Sequence, residues 1–85
     1  MNPFTVESTP AADDELADIW LRSADPNAVT ATAATIERRL AQDPIGAGRH
    51  HSEGLYSIHV SPLHIFYSVD LARRVVEITD ILEVP

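Results

Sequence analysis

Between Tyr56 and Val69 the chain alternates with a period of two, and this stretch constrains the fold more than any other. Tyr56, Ile58 and Val60 alternate with Ser57 and His59; Leu63, Ile65, Tyr67 and Val69 then alternate with His64, Phe66 and Ser68. A period of two marks strands with one face buried. The two runs meet at Ser61-Pro62, and an even loop centred there sets Val60 against Leu63, Ile58 against Ile65 and Tyr56 against Tyr67. Every apolar residue then shares one face. A slip of one residue would mix the two sets, so the pattern itself selects the register. The same pairing places His59 opposite His64 on the other face, where any chemistry is to be sought.

The remaining elements follow from punctuation and spacing. Pro3–Ser8 reads as a short strand with Phe4 and Val6 on one side. Thr9-Pro10 and Asp25-Pro26 each open a helix, since Thr and Asp cap well and Pro suits the first helical position. Leu16, Ile19 and Trp20 form one apolar stripe in the first helix; Val29, Ala33, Ile36 and Leu40 form the seam of the second. Leu16, Trp20, Ile36, Ile58 and Tyr67 are expected to share one core. Glu37, Arg38 and Arg39 read as a solvated helix face. Asp43-Pro44 ends the second helix and Ile45–Glu53 reads as a loop. A last strand, Arg74–Leu82, carries Val76 and Ile78 on one face and then breaks step before Ile81, which predicts a bulge near Thr79-Asp80. The expected architecture is α+β: an N-terminal strand, a helical hairpin, and a three-stranded antiparallel meander packed on the helices. All 85 residues are expected to form a single domain (1–85).

Composition narrows the function classes. There is no cysteine, hence no disulfide and no thiolate metal site. No apolar run reaches the ~20 residues that span a bilayer. The N-terminus lacks the basic and apolar regions of a signal peptide, and the expected location is cytoplasmic. The formal net charge is −7, which on average repels nucleic acid. The charge is unevenly spread: Glu7, Asp13, Asp14, Glu15, Asp18 and Asp25 precede all the arginines except Arg22.

A first strand running into TPAADDELADIW, a helix closing in IERRLAQDP, a Gly-bearing loop, the paired strands YSIHV and HIFYSVD, and a final RRVVEITDI together resemble the RelE/ParE superfamily. These are the toxins of bacterial type II toxin–antitoxin, or plasmid-stabilisation, systems. The resemblance implies a toxin silenced by a cognate antitoxin that wraps around it and assembles it into a larger complex. RelE-like members cut messenger RNA in the ribosomal A site with basic side chains on the open sheet face; ParE-like members poison DNA gyrase. A non-catalytic protein-binding module is the alternative. Carried over by position, His64 falls where RNA-cleaving members have an arginine, and His59 and Ser57 fall where they have lysines. Glu83 stands near the place of a base.

Two readings of the histidines stay open. As an acid–base pair, His59 and His64 would need a cation for the phosphate, from Arg49 or Arg74. Otherwise they are ordinary polar residues on an exposed sheet. Adjacent His50-His51 is not a chelating pair, so no metal and no cofactor are expected. Phe66, between His64 and Ser68, is assigned to stacking a base or to a partner chain, with the partner preferred. Trp20 is a second candidate partner contact.

Overall fold

A computed structural model of the chain describes residues 3–84. The elements in order are β1 (Thr5–Ser8), α1 (Pro10–Arg22), α2 (Pro26–Gln42), α3 (Pro44–Ala47), β2 (Arg49–Ser52), β3 (Leu55–Val60), β4 (Leu63–Asp70) and β5 (Val75–Glu83). The strands form one five-stranded sheet in the order β1-β5-β4-β3-β2, with β1 parallel to β5 and every other pair antiparallel. Both long helices lie on one face.

One capping device recurs at each helix start. Thr9, Asp25 and Asp43 each precede a proline, and their side-chain oxygens accept from the amides of Ala12 (3.1 Å), Ala28 (3.2 Å) and Gly46 (2.9 Å). Each satisfies an amide that the helix leaves without an internal partner.

The β3–β4 register is the one the alternation selects: Tyr56 faces Tyr67, Ile58 faces Ile65, His59 faces His64 and Val60 faces Leu63. Ile58, Leu63, Ile65 and Tyr67 join Val29, Ile36 and Leu40 of α2, and Val76, Ile78 and Ile81 of β5, in one buried cluster. The bulge also appears. Phe66 pairs with Asp80 while Tyr67 pairs with Ile78, leaving Thr79 as the extra residue. This shift turns both Ile78 and Ile81 to the core and leaves Leu82 outside.

Three expectations need correction. The segment Ile45–Glu53 is not a loop throughout: it holds the end of α3 and the edge strand β2, so the meander has four strands. Tyr67 anchors this segment by donating its hydroxyl to the Pro44 carbonyl at 2.7 Å. Second, Trp20 is 44% exposed and is not a core residue. Ala12, Leu16 and Ile19 are the residues of α1 that face the cluster, and Trp20 lies past the edge of that stripe. Third, the N-terminal strand begins at Thr5, although Phe4 still packs on the core. Trp20→Ala is therefore expected to cost at most about 1 kcal/mol, against ~3–5 kcal/mol for a buried tryptophan. Denaturant midpoints check this, and a loss above 3 kcal/mol would return Trp20 to the core.

Candidate functional site

The face of the sheet away from the helices is polar and unevenly charged. By register it carries Arg49 on β2, Ser57 and His59 on β3, and His64 and Phe66 on β4, and His51, at the irregularity between His50 and Ser52, joins them through Ser57. The acids Asp80, Glu77 and Glu7 stand on the β5 and β1 half. The basic half borders a shallow cleft of about 380 Å³ whose lining includes Arg39, Arg49, His51, Ser57, His59 and His64. No carboxylate lines it, and among the described residues neither Arg39 nor Arg49 is in an ion pair. The chain's overall acidity thus gives way locally to positive potential, the feature that concentrates anions in a concave site.

The rings within and beside this cleft touch in sequence. His59 and His64 have centroids 5.5 Å apart and are tilted by 32°. His64 stacks on Phe66 at 4.8 Å, and Phe66 in turn lies 5.6 Å from His51. His51 reaches Phe66 although β3 runs between their strands, because the intervening residue is small. That residue is Ser57, whose hydroxyl lies 2.6 Å from His51 Nε2 and which is only 4% exposed. The neighbouring His50 points to the opposite face and meets Tyr56 at 5.1 Å. Among the described residues no group of three or more His, Asp or Glu is arranged to hold a metal ion.

Of the residues singled out from sequence, the structure brings His59, His64 and Arg49 to one cleft and places Phe66 beside it. Arg74 is not there. It follows the far end of β4, about 20 Å along the strand from His64, with its guanidinium 4.4 Å from the centre of the Phe4 ring. Trp20 lies on α1, outside the cleft. Sequence reasoning missed Arg39, read there as part of a solvated face, and the bond between His51 and Ser57. The only signal available for Arg39 was its place just before Asp43-Pro44, where the chain turns back to the sheet.

His64 holds its proton less tightly than a free imidazole. Partial burial is the main cause, and the neighbouring His59 and His51 oppose a further positive charge. The folded protein therefore binds this proton less readily than the unfolded chain does. The associated stability is full above about pH 6.5 and is lost as pH falls through the lowered folded value. In an NMR titration His64 is expected to have a midpoint below 6.5 that rises on His59→Gln. A midpoint at or above 6.5 would contradict the arrangement.

No family model matches the sequence, and no curated protein matches it closely. Solved structures do match. A chain of the RelBE2 toxin–antitoxin complex from Mycobacterium tuberculosis superposes with a TM-score of 0.79 and 22% identity, over 98% of this chain and 93% of that one. A chain of the chromosomal ParDE system from P. aeruginosa gives 0.70 and 18%, over 96% and 97%. The isolated E. coli RelE toxin gives 0.69 and 15%, over 96% and 85%. The chain has the α+β fold of these RelE and ParE structures along nearly its whole length.

Proposed function

We propose that this chain is the toxin of a type II toxin–antitoxin pair and that its cleft cleaves RNA. One observation carries the RNA reading: two facing imidazoles 5.5 Å apart border a cleft that also holds two arginines and no carboxylate. A single phosphodiester can touch both rings. His64, whose proton affinity is lowered, is suited to take the proton of a 2′-hydroxyl. The freed oxygen attacks phosphorus, the bond to the 5′-oxygen breaks, and protonated His59 supplies that leaving oxygen with its proton. The products are a 2′,3′-cyclic phosphate and a 5′-hydroxyl. Arg49 and Arg39, which line the same cleft, are assigned to neutralising the non-bridging oxygens as charge builds.

The antitoxin partner rests on the fold, since the structures it matches include toxin–antitoxin complexes. Half-buried Phe66 and exposed Trp20 and Leu21 are the apolar groups such a partner would cover. Inducing the chain alone in a bacterium is expected to arrest growth, with new 5′-hydroxyl ends in messenger RNA, and co-expressing a neighbouring antitoxin gene should restore growth. Arrest with intact RNA would favour a gyrase target. Absence of arrest would leave a binding module.

A further inference from the structure

The His51–Ser57 contact has no part in the acid–base pair, yet it joins the most buried polar side chain of the open face to a ring lining the cleft. Its geometry leaves His51 one nitrogen for a ligand. With Nε2 held by Ser57 Oγ at 2.6 Å, the remaining nitrogen is Nδ1. A neutral imidazole carries one N–H, and the bond made by one nitrogen decides which nitrogen carries it. If the Ser57 hydroxyl donates to Nε2, Nδ1 keeps the hydrogen and is a donor without any positive charge. If Nε2 donates to Ser57, Nδ1 is a lone pair that repels an anion until the ring is protonated.

An anion bound in this cleft would select the first arrangement. The charged and titratable groups facing His51 are Arg39 from α2, Arg49 from its own strand, His59 from β3 and His64 from β4, with Asp80 of β5 across from Phe66. Four of these five are basic, so the cleft suits an anionic ligand, and only the first arrangement offers it a donor from a neutral ring.

We propose that Ser57 is a positioning residue: its hydroxyl donates to His51 Nε2 and so holds Nδ1–H as a charge-independent donor to a phosphate oxygen in this cleft. The ligand class is a phosphate group. It belongs either to a free anion or to a strand of RNA lying along β3, where Ser57 and His59 are two residues, ~7 Å, apart. In the second case His51 would hold the phosphate next to the one at His59 and His64, and that version rests on the RNA reading above.

The ¹⁵N shifts of His51 in the intact protein at neutral pH test the tautomer directly, and Nδ1–H with an unprotonated Nε2 is expected. Titration with inorganic phosphate, and separately with a 2′-deoxy oligonucleotide that cannot be cleaved, should shift the Nδ1 resonance. In Ser57→Ala the affinity at pH 7.5 should fall about tenfold, the loss of one hydrogen bond to a charged group. Ser57→Thr, which keeps the hydroxyl, should restore the affinity. A predominant Nε2–H tautomer, or equal affinities of parent and Ser57→Ala, overturns the proposal. Binding of phosphate but not of the oligonucleotide keeps the donor role and removes the strand. None of these readouts depends on cleavage, so the proposal can fail while His59 and His64 remain essential, and the reverse.

Discussion

Replacing Gly48 by alanine is expected to destabilise the protein by about 2–3 kcal/mol, as forced overpacking does, and to lower the melting temperature by roughly 10–20 °C for a domain of this size. An added methyl group would overlap the Tyr67 hydroxyl oxygen and sit 2.6 Å from the Ser57 carbonyl oxygen. Neither obstacle moves easily. Tyr67 is fully buried with its hydroxyl bonded to Pro44, and the Ser57 carbonyl belongs to the middle of β3. Burial, reinforced by Tyr56 and Asp43, also pushes the Tyr67 phenol up to about 12, so the hydroxyl stays a donor throughout the working pH range. The backbone of Gly48 is extended, so space and not conformation makes the glycine necessary. Tyr67→Phe alone should cost about 1–2 kcal/mol, through the Pro44 carbonyl left without its donor. Combined with Gly48→Ala it should cost less than the sum, because it removes the nearer obstacle. Thermal melts followed by circular dichroism decide, and a Gly48→Ala midpoint within 3 °C of the parent would show that α3 and β2 shift freely.

The second large effect concerns activity. Exchanging His59 and His64 together for alanine is expected to abolish growth arrest and lower RNA cleavage by a factor of ~10³ or more, since each proton-transfer group contributes ~10²–10⁴. The fold should survive, because His59 is exposed and His64 half-buried on the face away from the core. The parent should show a bell-shaped pH dependence. Its acid limb reports the base, which must be neutral, and the lowered affinity of His64 moves that limb below pH 6.5. Full toxicity in a correctly folded double variant would remove the RNA reading and leave gyrase or a binding role.

What the sequence revealed and concealed follows from how each feature is stabilised. The His59–His64 pairing was legible because the buried residues on either side admit a single register. The bulge at Thr79 was legible for the same reason, as Ile78 and Ile81 cannot both face inward without it. β2 carries no such signal: Arg49, His50, His51 and Ser52 are all exposed, and the strand is held at the sheet edge by its ladder and by the packing of Gly48. With β2 unseen, the His51–Ser57 bond and the place of Arg39 were unseen too. Trp20 was assigned inward because a helical stripe gives the spacing of apolar positions, but not which of two adjacent residues lies at its centre. Arg74 was assigned to the site by charge alone, and the turn that it occupies at a positive φ of 56° puts it at the opposite end of the strand.

The parallel pairing of β1 with β5 has a consequence for synthesis. Thr5 pairs with Val75, so β1 leaves the ribosome about 70 residues before its partner strand. Until then Val6 has no neighbouring strand, and the inner faces of Ile65 and Tyr67 lack the cover of Ile81 and Ile78. Contacts so distant along the chain make folding slow and all-or-none. A nascent chain is therefore expected to lack the finished fold until β5 has emerged. The interval before β5 emerges is a period in which the uncovered inner face is open to proteases.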